Sequence, residues 1–149
     1  MFNKFGRALA ASVILAVAAP ALGQQQFSDS YTFLKAVRER DGDKVSDLVA
    51  EPGSVVINTR ERGSGEGALH IVVRGRDLTW LSFLLGKGAR PDIQSHRGDT
   101  PLTLAAQIGW LDGVEVLLAR RAAVDLPNGR GETALILATQ RRDVPLVRL

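Results

Sequence analysis

Apolar residues along this chain come in short blocks at helical spacing, separated by polar stretches rich in glycine. Between Tyr31 and Ala50, one block holds Phe33, Ala36 and Val37 and a second holds Val45, Leu48 and Val49, with Asp41-Gly42-Asp43 between them. Offsets of three and four put each block on one face of a helix, so the segment is predicted to be two helices joined by a turn. Farther along, Leu111, Val114, Leu117 and Leu118 again share a helical face. One helix pair cannot cover such a face, which must be buried against a neighbouring unit.

Superposing Gly65, Gly98 and Gly131 aligns three segments without a gap at a spacing of 33 residues. Downstream of each glycine the same offsets recur: Leu69, Leu102 and Leu135, then Val72, Ala105 and Ala138, then Leu81, Val114 and Val147. The pairs Leu84-Leu85 and Leu117-Leu118 also match, followed by Gly88-Ala89 and by Arg121-Ala122, where the glycine has been lost. Such a period is the mark of a stacked array, which needs about three units for stability. Thr100-Pro101 supplies an N-cap oxygen and then a proline at the first helical position, where no amide hydrogen is missed. Ala105 and Ala106 are small enough for helix backbones to approach closely, and Gly109 and Gly113 are both expected to loosen or end the helical pattern near the turn.

With these motifs the chain resembles the ankyrin-repeat family over residues 31–149. The family pattern runs G-x-T-P-L-H-x-A-A, then a turn glycine, then an apolar helix ending L-L-x-x-G-A. Gly98-Asp99-Thr100-Pro101-Leu102-Thr103-Leu104-Ala105-Ala106 departs from it only at Thr103, where the family prefers His. Gly65-Glu66-Gly67-Ala68-Leu69-His70 keeps the His and loses Thr-Pro, and Gly131-Glu132-Thr133-Ala134-Leu135-Ile136 is degenerate elsewhere. The resemblance implies an all-α solenoid of stacked helix-turn-helix units with β-hairpin-like finger loops. The expected division is a divergent cap at 31–58 and repeats at about 62–94, 95–127 and 128–149. The cap turn at Asp41-Gly42-Asp43 looks two residues longer than the later turns, and Pro52 to Glu66 reads as an extended finger. In the last repeat the alignment puts a Leu-Leu pair just after Leu149, so that repeat reads as incomplete.

The first residues change the picture. Lys4 and Arg7 precede the uncharged run Ala8 to Ala19, Pro20 breaks it, and Ala21-Leu22-Gly23 offers small residues at signal-peptidase spacing. Residues 1–23 are therefore expected to be a signal peptide cleaved between Gly23 and Gln24, with cleavage after Ala21 or an uncleaved anchor as alternatives, a short linker at 24–30 and a periplasmic or secreted destination. A run of twelve is too short for a bilayer span, which takes about 20 residues, so no stable membrane insertion is expected after cleavage. The leader holds two of the 19 basic residues and none of the 16 acidic ones, leaving 17 against 16. A balance that near to neutral gives no reason to expect a nucleic-acid partner. There is no cysteine, which excludes disulfides and thiolate chemistry.

No catalytic constellation emerges, so no enzyme activity, cofactor or metal is expected. His70 occupies the family's T-P-L-H position, a structural role between neighbouring repeats, and His96 lies 26 residues away without a metal-site spacing. Gly63 to Gly67 lacks the Gly-Lys-Ser/Thr ending of a phosphate loop. The resemblance instead implies a protein–protein interaction module that meets its partner through finger tips and the concave helix face. Carried over by position, the finger tips give Ser64 and Glu66, then His96, Arg97 and Asp99, then Arg130 and Glu132. The ends of the first helices give Arg74, Gln107, Ile108, Gln140 and Arg141. Basic residues exceed acidic ones in this set by four to three, which favours an acidic partner. Trp110 stands where a polar residue usually follows the turn glycine and is the aromatic candidate for exposure and contact, whereas Trp80 is expected to be packed. The alternative function is a non-catalytic accessory subunit or regulator of an exported enzyme, with the C-terminal edge buried in the complex.

Overall fold

Helix starts are written into the chain by short polar side chains, and the computed structural model, which describes residues 21–50 and 54–149, shows them in use. Its elements are α1 (Ala21–Glu39), α2 (Gly42–Ala50), a single 3₁₀ turn (Val56–Asn58), α3 (Ala68–Arg74), α4 (Leu78–Gly86), α5 (Pro101–Ile108), α6 (Leu111–Ala119), α7 (Ala134–Gln140) and α8 (Val144–Val147). At α5 the Thr100 hydroxyl accepts the Thr103 amide while the Thr103 hydroxyl accepts the Thr100 amide, a reciprocal cap followed by Pro101 at the first helical position. Thr133 caps α7 through the Ile136 amide.

The helices pair in sequence and stack in two layers. The first helices α1, α3, α5 and α7 pack side by side, α4, α6 and α8 pack behind them, and each first helix packs on the second helix of its own unit. Leu69, Val72, Leu81, Leu84, Leu102, Ala105 and Leu117 are buried between the layers, and Phe33, Ala36, Val37 and Val45 continue the core into the N-terminal unit. Each fully buried Leu or Val contributes about 1.5–3 kcal/mol by leaving water, and the interlocking of neighbouring units sums these into one stack. Ala105 and Ala106 are fully buried, as close helix approach requires. Among the described residues there is no strand; the second repeat's finger holds an isolated antiparallel bridge between Arg60 and Gly67.

Several expectations are corrected. The leader expected at 1–23 lies outside the described residues except for its last three, and the stretch 24–30, expected as a linker, is helical, because α1 runs unbroken from Ala21. The cap turn is not longer than the others. Arg40 takes a left-handed conformation and Asp41 caps α2 through the Lys44 amide at 3.0 Å, the same arrangement as Arg76 with Asp77 and Arg142 with Asp143. Gly42 and Asp43 therefore belong to α2. Gly109 does end α5, with φ 65, but Gly113 lies inside α6, where its missing side chain makes room for Trp110.

Candidate functional site

The third and fourth fingers are each pinned by one short polar side chain that accepts two backbone amides. Ser95 Oγ accepts from Arg97 and Asp99, both at 3.2 Å, and Asn128 Oδ1, one spacing on, accepts from Arg130 at 2.9 Å and Glu132 at 3.0 Å. Neighbouring fingers are then stitched by main chain: the His96 amide donates to the Ser64 carbonyl at 2.9 Å, and the Gly129 amide to the Arg97 carbonyl at 2.8 Å. The second contact requires glycine, since a β-carbon on Gly129 would stand 2.7 Å from the Arg97 oxygen. A rigid edge results, carrying side chains at a fixed pitch.

Between the third and fourth fingers this edge and the end of α5 enclose a polar groove of about 380 Å³. It brings together His96, Arg97, Asp99, Gln107 and Arg130 from the sequence-derived set, and adds Asn128 and Gly129. Arg97 and Arg130 stand 75% and 66% exposed at its rim. Their carboxylate neighbours are more deeply set: Asp99 lies 3.8 Å from Arg97, and Glu132 2.7 Å from Arg130. Hydrogen bonds from Asn128 and then Gln140, aided by Arg130, hold the Glu132 carboxyl below its ordinary value. The groove thus offers guanidiniums at its rim, carried on hydrogen-bonded fingers, which suits it to binding polar or anionic side chains.

The remaining candidates lie elsewhere. Ser64 and Glu66 belong to the preceding finger, where Ser64 donates to Glu61 at 2.8 Å and Glu66 is engaged by Arg74. That ion pair raises the Arg74 guanidinium above its ordinary value. Gln140 donates to Glu132 at 3.3 Å. The Ile108 carbonyl accepts Arg76 at 2.6 Å, and Arg141 donates to the Gln107 carbonyl at 3.1 Å while its guanidinium covers Gly109. Arginines from the two flanking repeats therefore close the C-terminal end of α5, where free carbonyls carry partial negative charge.

Two assignments to the contact surface are corrected. Trp110 is buried, with 6% of its surface exposed, because its ring folds back onto Gly113. Asp99 is buried too; its carbonyl accepts the His70 Nε2 proton at 2.8 Å, while the Gly67 amide donates to His70 Nδ1 at 3.2 Å. The bond to Asp99 joins the second and third repeats, and the two together give His70 its structural role. Trp80, expected to be packed, is half-buried, set edge-on to Phe83 at 5.1 Å and beneath the Arg40 guanidinium at 5.5 Å. The arginine clamps were missed by sequence reasoning. Arg76 lies in an Arg-Asp pair like those at 40–41 and 142–143, whereas Arg141 stands one position before the last of these pairs.

Paired helices stacked in two layers, with hydrogen-bonded fingers along one edge, define a repeat solenoid that binds through its surface. The family model for ankyrin repeats (3 copies) matches residues 69–149, more than half of the chain, and the protein belongs to the ankyrin-repeat family. Ankyrin repeats are protein–protein interaction modules, and the family is typically non-catalytic. Among the described residues, no cluster of His, Cys, Asp and Glu could hold a metal ion, and no helix is long and apolar enough to cross a membrane.

Proposed function

We infer that this protein is a non-catalytic binding scaffold acting outside the cytoplasm, in the periplasm or after secretion, and that it seizes an acidic segment of a partner protein in the groove between its third and fourth fingers. The observation that carries the reading is the pair Arg97 and Arg130, exposed at the rim of one polar groove on adjacent, mutually hydrogen-bonded fingers. Fixing the two fingers that carry the arginines reduces the ordering cost of binding, and opposite charge on the partner speeds encounter. The export half of the reading rests on the leader pattern at 1–23.

Crosslinking and affinity capture from an extracytoplasmic extract, comparing the natural chain with Arg97→Glu/Arg130→Glu, tests the groove. Partner recovery should fall at least tenfold while helical circular dichroism stays unchanged; equal recovery refutes the groove. Arg141 is left intact because it is committed to the Gln107 carbonyl. Cell fractionation with N-terminal sequencing tests the location, the expected product beginning at Gln24.

A further inference from the structure

Asn128 and Gly129 form the only Asn-Gly pair in the sequence. In such a pair the glycine nitrogen can attack the carbonyl carbon of the asparagine side chain, since the residue it belongs to has no side chain to hinder the approach. A bond forms from that nitrogen to Cγ, the Cγ–Nδ2 bond breaks, and ammonia leaves with the proton of the attacking amide. Water then opens the imide ring. Cleaving the new bond yields aspartate; cleaving the original main-chain bond yields isoaspartate, in which the chain runs through the former side chain and is one carbon longer.

The fold commits both reacting groups elsewhere. The Gly129 amide donates to the Arg97 carbonyl at 2.8 Å, so its proton lies in the junction between the third and fourth fingers. The Asn128 side chain is buried, with Oδ1 accepting the Arg130 and Glu132 amides and Nδ2 donating to the Glu132 carboxylate at 3.0 Å. Ring closure needs the glycine proton released and the asparagine side chain turned, and each motion breaks hydrogen bonds. The same junction has a second tie, from Gln94 Nε2 to the Pro127 carbonyl at 3.3 Å. Its other half is shaped by Ser95, whose Oγ holds the Arg97 and Asp99 amides. Reactivity at Asn128 is therefore governed by residues one repeat earlier.

Conversion also prevents the junction from closing again. Replacing Nδ2 by oxygen turns the donor facing Glu132 into a second carboxylate, and like charges at hydrogen-bond distance repel. In isoaspartate the additional main-chain carbon carries the Gly129 amide out of register with the Arg97 carbonyl.

We propose that Asn128-Gly129 is a deamidation site gated by the junction of the third and fourth fingers, inert while Gly129 donates to Arg97, reactive when the junction opens, and unable to return once converted. The site does not depend on what the groove binds.

Peptide mapping by mass spectrometry, which separates Asn, Asp and isoaspartate at position 128, follows the reaction in the full chain at mildly alkaline pH. Conversion in the folded chain should be roughly tenfold or more slower than in the same chain unfolded by urea, because only the locally opened fraction reacts. Gln94→Ala and Ser95→Ala should speed it several-fold with helical circular dichroism retained. Ser64→Ala, which loosens the preceding finger, should leave the rate unchanged. Should Ser95→Ala fail to fold, Gln94→Ala carries the comparison alone. Equal rates in folded and unfolded chains overturn the proposal, as does a rate that neither junction variant raises. Acceleration by Ser64→Ala as large as by Gln94→Ala overturns it too, since opening would then be global. A converted chain that melts at the natural midpoint refutes the one-way step.

Discussion

The six-membered edge of the Trp110 indole fills the space that a side chain at Gly113 would need. Elsewhere in the stack an aspartate caps the second helix at this place, as Asp41, Asp77 and Asp143 do. The third repeat gives up that cap, since Trp110 makes no side-chain capping bond, and gains a buried ring held against α6.

Gly113→Ala should therefore destabilise the protein, although alanine is the better helix former. The added methyl must displace a buried ring, and overpacking of this kind costs about 1–3 kcal/mol. Urea unfolding followed by circular dichroism measures it, and a stability gain would mean that the ring is not seated on Gly113.

His70 makes stability depend on pH in a window of its own. Burial lowers its pKa below the ordinary 6.5, outweighing the Asp99 carbonyl that favours the charged form. Because the folded state resists the proton and the unfolded state takes it near 6.5, this contribution is full above that value. It is lost as the pH falls from there through the lower folded value. Protonation also puts a hydrogen on Nδ1, facing the Gly67 amide it now accepts from. Thermal midpoints between pH 7.5 and 5 should fall for the natural chain, and the slope should flatten in His70→Gln.

Leu102 and Leu135 occupy the same place in successive repeats and differ only in what lies across from them. Leu102→Ala should cost about 2–5 kcal/mol as a buried large-to-small change, whereas Leu135→Ala should stay within about 0.5 kcal/mol of the natural chain, as exposed substitutions do. Equal losses in chemical denaturation would contradict the exposure of α7.

Asp77 joins two units: it caps α4 through the Trp80 amide at 3.0 Å and receives Arg40 from the first unit at 2.7 Å. Partial burial pushes its carboxyl up, but the amide and the guanidinium outweigh that and hold it below its ordinary value. Asp77→Ala should cost about 0.5–2 kcal/mol, the range for loss of a helix cap. Asp77→Asn should recover most of the cap and not the ion pair, and comparing the two variants in high salt separates the contributions.

How much could be read in the chain follows from where each cause lies. Gly98-Asp99-Thr100-Pro101 was legible because a cap and a proline at the first helical position act within four residues of each other. The leucine register was legible because identical units must repeat identical contacts. In the groove, His96, Arg97, Gln107 and Arg130 were found by position. Asn128 was missed, although its Asn-Gly pair in the fourth finger matches the place where Ser95 pins the third. Trp110 was misplaced because its fate depends on the missing side chain at Gly113, a relationship visible only once the helix is built.

The amino-acid sequence by itself determined the period, the start of α5 at Thr100-Pro101 and the family, since these arise from local backbone preferences and from the recurrence of one apolar pattern. Tertiary structure alone decided which copies of that pattern are covered. Leu102 is buried and Leu135 exposed because burial belongs to the junction between two units, and no property of a single residue or its near neighbours contains it. The same holds for Arg76 and Arg141, whose guanidiniums find the carbonyls of Ile108 and Gln107 more than thirty positions away, across junctions that exist only in the stack.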